Sequence, residues 1–327
     1  MTGVARRGGG LMERTAGWVP GFVVLSMIWG SSFALIKVAV DAGVAPLWVA
    51  SWRCLFGLAA LGAVCVVRRA PLPRGRRVWA HAFVVAALLN SVPFALFSYA
   101  ETRVSSVVAG VWNATTPLTT LLFAVAVIPA ERPTPRRSIG LATGFCGVLL
   151  VLGVWRGFDG GTLGGSLACL GATVCYGAGF TYTRRFFAGG GESVVALSAV
   201  QILCATAELA LVTPVVAGPP TWPGPAAAAA LVGLGAVGTG LAYIINLGVI
   251  RAAGPTVAST VTYLTPLWST LLGAVLLAEP LGWNTVTGGL LIVAGVIVAR
   301  APRRGERAAV SVPGSPGPRG RGVRARG

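Results

Sequence analysis

The chain has 327 residues, of which 55% are hydrophobic and only 11% charged, and its mean hydropathy is +0.78. A soluble domain carries roughly 25% charged residues, so this composition excludes a water-solvated surface and makes the bilayer the solvent for most of the chain. The formal charge of +17 does not signal nucleic acid, because the arginines cap apolar runs and fill a terminal tail instead of clustering on one face beside stacking aromatics.

Crossing a bilayer as a helix takes about 20 mostly apolar residues. Ten stretches qualify in chain order: 18–38, 46–67, 79–100, 104–128, 138–155, 163–183, 193–215, 227–249, 256–277 and 284–300. The first follows Arg6, Arg7 and Arg14 in a short tail (1–17), but its apolar run is too long for a secretory signal. Six cysteines fall inside the apolar runs without a Cys-x-x-Cys pair, and His81 stands alone at the edge of the third span. Those thiols read as small hydrophobes, so neither disulfides nor metal are expected. From about Pro302 the text is rich in Arg, Gly, Pro and Ser, and 301–327 reads as a disordered basic tail.

Basic residues set the orientation. With the amino terminus in the cytoplasm, the loops alone place eleven Lys or Arg inside and three outside, the three being Lys37, Arg103 and Arg156. The positive-inside rule then puts both termini in the cytoplasm of a multi-pass plasma-membrane protein.

The chain also repeats itself. Ala109, Thr116-Pro117-Leu118, Glu131, Gly140 and Gly147 return as Ala258, Thr265-Pro266-Leu267, Glu279, Gly288 and Gly295 after a one-residue gap. Earlier, Gly30 and Phe33 match Gly177 and Phe180, each followed by a basic residue, Lys37 and Arg184. Five spans per half is odd, so the second half, 163–300, inserts upside down relative to the first, 18–155. Two inverted copies supply the pseudo-two-fold axis on which alternating access is built.

With Trp29-Gly30-Ser31-Ser32-Phe33, Arg53, and the run from Ala109 through Thr116-Pro117-Leu118 to Glu131, Gly140, Gly144 and Gly147, the chain resembles the EamA domain of the drug/metabolite transporter superfamily. The resemblance extends over nearly all of 18–300. It implies an all-α integral membrane carrier of ten helices in two inverted repeats, a solute such as an amino acid, another small metabolite or a drug, and no cofactor. Two departures suggest an asymmetric cavity. Gln201 stands where a partner of Arg53 would align, and Tyr176-Gly177 replaces Trp29-Gly30.

Arg53 and Glu208 are the ionisable residues predicted deep in spans. Charge at that depth costs at least ~2.5–3.5 kcal/mol on insertion scales and faces a cavity or a partner. The functional reading has Arg53 bind a carboxylate or phosphate while Glu208 competes for it or carries a proton. The competing explanation is a permanent Arg53–Glu208 pair, or snorkelling of each to the outer surface. Pro93, Pro117 and Pro266 fall inside spans, where each frees a carbonyl one turn earlier. For Pro117 and Pro266 these belong to Asn113 and Thr262, and the hydroxyls of Thr116 and Thr265 are placed to resatisfy the backbone. A broken helix near the midplane offers polar backbone to a solute and a bend for gating, though a fixed kink explains it too.

Asn90, Trp112, Asn113 and Gln201 lie near the midplane, with Trp29, Ser32, Tyr176, Tyr243 and Asn246 at neighbouring levels of the same expected solute pathway. Buried amides need protein or water partners, so interhelical hydrogen bonding competes with a ligand role. Gly140-x-x-x-Gly144 and the Gly288 region allow close helix approach, either between the halves or between copies of the chain. No phosphate-binding Gly-rich motif ending in Lys-Ser/Thr occurs, which argues against ATP drive.

The expected function is secondary transport, favouring export, of a small organic solute, driven by its own gradient or by protons. The expected partners are lipid, the solute, protons and a second copy of the chain. A nucleotide-sugar or sugar-phosphate carrier is the rival within transport, but it needs more deep cations than Arg53. An embedded enzyme lacks convergent nucleophile, acid and base, and a scaffold has no use for deep charge.

Overall fold

The computed structural model describes residues 18–127, 135–153, 160–187, 193–253 and 260–300. The two tails, Glu131, Arg156 and Ala258, on which parts of the orientation and repeat readings rest, lie outside the described residues. All described elements are helical. In chain order they are α1 (Val19–Asp41), α2 (Pro46–Val67), α3 (Arg76–Ala100), α4a (Ser106–Asn113) with α4b (Thr116–Val127), and α5 (Pro135–Leu152). The second half supplies α6 (Gly160–Phe187), α7 (Val194–Ala217), α8 (225–253), α9 (a 3₁₀ turn Thr260–Tyr263, then Thr265–Leu276) and α10 (Trp283–Arg300). Seven of these helical stretches are long and apolar enough to cross a membrane, and the apolar helices of α5, α9 and α10 are shorter. Prolines start α1, α2 and α8 within the first turn, where the absent N–H is unneeded.

Burial runs opposite to that of a soluble protein. Leu211, Val215, Leu290 and Phe145 are exposed, while Ser26, Asn90, Glu101, Thr173, Thr213 and Ser269 are completely buried. Polar groups inside and aliphatic groups outside match a hydrocarbon solvent, in which every backbone bond must be made within the helices. The chain is a multi-pass membrane protein.

Packing repeats with the sequence. α1 crosses α9, and α6 crosses α4b. Likewise α2 packs on α8 as α7 packs on α3, and α3 on α6 as α8 on α1. Exchanging the two halves leaves this pattern unchanged, and the pairs α2–α7, α4–α9 and α5–α10 map onto themselves. The repeated glycines explain the crossings. A Cβ on Gly30 would lie 2.9 Å from the Thr265 carbonyl oxygen, and one on Gly177 would lie 2.8 Å from the Thr120 nitrogen. On α5 and α10, a Cβ on Gly295 would sit 2.6 Å from the Gly140 carbonyl oxygen, and one on Gly147 would sit 2.7 Å from that of Gly288. Backbone touches backbone there, so these glycines join the two halves.

The helices depart from regularity at four places. α3 carries a π-helical turn at Ala87–Ser91, immediately before Pro93, which cannot donate to a carbonyl one turn back. Its partner in the other half, α8, carries a longer one at Gly233–Leu241 without any proline. Of the two readings the sequence allowed, a broken helix and a fixed kink, Pro117 and Pro266 show the break: each stands second in a new helical segment, after an interruption at 114–115 and at Leu264. Thr265 Oγ1 donates to the Thr262 carbonyl at 2.8 Å, the group that Pro266 leaves free. The parallel expectation for Thr116 fails. Its hydroxyl has no partner among the described residues, and the break is tightened instead by the Ala114 and Thr115 amides donating to the Val111 and Trp112 carbonyls.

Candidate functional site

A cavity of about 330 Å³ lies between the two halves. At one limit it is walled by Ile36 and Phe97, near the end of the bundle marked by Asp41; at the other it reaches Thr183 and Ser198, within about a turn of Arg184 and of the start of α7. Between these limits lie several of the positions named from the sequence. Trp29 and Ser32 come from α1, Arg53 from α2, Asn113 and Thr116 from the α4 break, Tyr176 from α6, and Gln201 from α7. Tyr243 and Asn246 come from α8 and Thr265 from the α9 break. Both broken helices and both π-helical segments, through Leu89 and Gly238, therefore open onto the same space, where irregular backbone in a membrane protein is expected.

Arg53 is the charge in this wall. The sequence left an Arg53–Glu208 pair open as the alternative to a ligand role, and in the structure the two side chains have different partners. The Arg53 Nε donates to Thr239 Oγ1 at 3.2 Å, and its guanidinium carbon lies 3.8 Å from the centre of the Phe94 ring. Among the described residues no carboxylate pairs with it and nothing accepts from its two Nη groups. Glu208 faces elsewhere, accepting from Ser91 Oγ at 2.5 Å, and does not line the cavity. Thr239 reaches Arg53 because the α8 π-helical segment packs against α2, where Gly57 leaves room for the threonine side chain.

Asn90 and Trp112 do not line the cavity either. Asn90 is fully buried in the α3 π-turn, donates to the Tyr243 hydroxyl at 3.0 Å and accepts from Gln201 Nε2 at 2.6 Å. It holds two wall residues from behind. Trp112 is buried in an apolar cluster drawn from α1, α3, α4a, α5, α6 and α10. Pro117 and Pro266 stand at the breaks and Pro93 follows the α3 π-turn, and none of the three contributes wall surface. His81 is likewise structural, bonded to Tyr182 Oη at 2.7 Å and stacked on Phe186.

The sequence reading missed the aromatic surface formed by Phe33, Phe94, Phe97 and Phe180. Phe33 and Phe180 were visible as repeat partners; Phe94 and Phe97 carried no signal, since phenylalanine in a span is the ordinary choice. The reading also missed a cluster at the Asp41 end. Glu279, beyond α9, receives the Ser106 and Val107 amides at 2.8 and 3.0 Å and the Ser106 hydroxyl at 2.9 Å, capping α4a of the other half. Lys37 pairs with Asp41 at 2.9 Å and donates to the Glu101 backbone oxygen at 3.0 Å. Glu101, just beyond α3, is fully buried, and neither carboxyl oxygen has a partner among the described residues. Burial, with Glu279 close by, holds its carboxyl well above the usual carboxylate range.

Together these features make a pocket with an aromatic lining, several amide and hydroxyl groups and one cation directed inward. It can hold an amphipathic solute of modest size that carries an anionic group.

Comparison with known proteins gives the same class. The model of the EamA-like transporter family matches residues 17–153 and again 163–301. The chain is 28% identical to the uncharacterized inner membrane transporter YedA of Escherichia coli strain K12, over 84% of this chain and 88% of that protein. It is also 28% identical to the aromatic amino acid exporter YddG of Ancylobacter novellus, over 89% of this chain and 97% of that protein. A solved crystal structure superposes with a TM-score of 0.62 over 88% of this chain and 98% of its own, at 23% identity, and so shares the fold.

Proposed function

Since the chain belongs to the EamA-like transporter family, we propose that it is a secondary active exporter of small organic carboxylates, with aromatic amino acids the leading candidates. The solute's anionic group meets the Nη groups of Arg53, and its apolar part lies among Phe33, Phe94, Phe97 and Tyr176. Asn113, Gln201, Tyr243, Asn246 and Ser32 serve a second polar group. The observation that carries this reading is the guanidinium of Arg53, stacked on Phe94 and without an acidic partner among the described residues. The name of the Ancylobacter relative agrees with it.

On this reading ten helices cross the membrane as two inverted repeats, 18–155 and 163–300, between short cytoplasmic tails, 1–17 and 301–327. Both termini face the cytoplasm and the Asp41 end faces outward. Rocking the halves about α2–α7, α4–α9 and α5–α10 exposes the pocket to each side in turn. The breaks at Thr116-Pro117 and Thr265-Pro266 supply the bends.

The test is transport by the purified full-length protein in liposomes. A pool of labelled metabolites, including aromatic amino acids and non-carboxylate drugs, is offered with and without a pH gradient. Saturable flux of a carboxylate-bearing aromatic solute is expected. Flux confined to phosphorylated sugars or to cations would replace the reading.

A further inference from the structure

Glu101 takes no part in the proposed solute contacts. It sits one helical turn beyond Phe97, whose ring meets that of Phe33 edge to face at 5.4 Å, and these rings with Ile36 cover the cavity toward the Asp41 end. The side chain is completely buried, and both of its oxygens lack a donor among the described residues. An ionised carboxylate so placed costs several kcal/mol in uncompensated desolvation. Among the described residues, the charged and titratable groups around it do not remove that cost. On α1, Lys37 is committed to Asp41 and to the backbone oxygen of Glu101. Glu279, on the far side, is bound to the α4a amides and adds like charge. Arg53 on α2 acts only through space, held by Thr239 and Phe94, and Cys169 on α6 supplies no charge. Arg103, on Glu101's own loop, lies over the Tyr99 ring.

We propose that Glu101 is a proton-binding site: it holds a proton while the Asp41 end is closed and releases it to water as that end opens. The inference rests on the alternating-access reading and names the residue through which protons enter it. On opening, the O–H bond breaks, the proton passes to solvent, and the carboxylate gains water and the nearby Lys37 ammonium as partners. Closing reverses each step. Protonation therefore favours the closed form below the raised closed-state pKa. That preference fades as pH rises from the ordinary carboxylate range toward the raised value, by at most about tenfold per pH unit. A neutral Glu101 also leaves the positive field of Arg53 undiminished for an anionic solute, so proton and solute support one another's binding.

Two measurements on the full-length protein in lipid test this without any solute. Infrared spectroscopy across a pH titration should show a protonated-carboxyl band that disappears in Glu101→Gln and persists in Glu208→Gln. Hydrogen exchange of the amides at 101–108, corrected for intrinsic rate at each pH, should lose protection by up to about tenfold per pH unit in the wild type and stay flat in Glu101→Gln. If that variant does not fold, the wild type still decides, because band and protection must vanish with one midpoint. A band unchanged by Glu101→Gln, separate midpoints, or equal pH dependence in both proteins overturns the proposal. Absence of transport for every pooled solute would defeat the transport reading while leaving these results intact.

Discussion

Arg53 is held on one side and open on the other. Its Nε bond to Thr239 and its stacking on Phe94 fix the plane of the guanidinium, and the Nη edge is left for a ligand. Arg53→Gln should therefore weaken binding of L-phenylalanine about ten- to a hundredfold, the equivalent of the roughly 1.5–3 kcal/mol contributed by a hydrogen bond to a charged group. L-phenylalaninamide, which lacks the carboxylate, should bind wild type and variant alike; titration calorimetry separates the two. Arg53→Lys should not restore binding, because an ammonium neither stacks nor presents two parallel donors. Asn90 calls for a different experiment. Asn90→Leu strips Tyr243 and Gln201 of their shared partner and should lower stability by roughly 1–3 kcal/mol, seen as an earlier thermal transition, together with weaker solute binding. Unchanged stability would mean that the pair is held by something else. Sequence alone made Arg53 conspicuous because a charge in an apolar run is costly wherever it points. It left Glu101 unremarked, because a carboxylate one residue past a span looks interfacial until the neighbouring helices close over it.

At the scale of elements, duplication in the sequence was readable as duplication in packing. Gly30 with Gly177, and Gly140 and Gly147 with Gly288 and Gly295, mark places where one backbone meets another. Gly295→Val should cost at least ~1–3 kcal/mol, since the new Cβ meets the backbone of Gly140 and Gly144, which cannot swing aside. Gly62→Ala, with nothing within 4 Å of its added Cβ, should be neutral or stabilise by up to roughly 1 kcal/mol. Thermal unfolding in detergent compares them, and equal transitions would remove the packing argument. The π-helical turns were not legible. The one in α3 had a local cue in Pro93, but the one in α8 is a run of small residues whose extra turn is set by the close approach of α2. Likewise Thr116 and Thr265 occupy equivalent positions in sequence, yet only Thr265 reaches the freed carbonyl.

For the whole molecule, composition excluded water as the main solvent, and the burial pattern agrees residue by residue. What composition could not give is the state of the cavity, which is walled toward the Asp41 end by Phe33, Ile36 and Phe97 and extends to Thr183 and Ser198 at the other. Alternation between that state and its mirror is the central claim. It is tested most directly by labelling Ile36→Cys and Thr183→Cys, each in a protein whose six native cysteines are replaced, with a membrane-impermeant thiol reagent added to one face of the liposome at a time. The prediction is that each cysteine reacts from one face only, Thr183→Cys from the cytoplasmic side and Ile36→Cys from the opposite side, and that a solute gradient raises one rate as it lowers the other. Reaction of a single cysteine from both faces at once, or rates that rise together, would describe a channel and contradict the account.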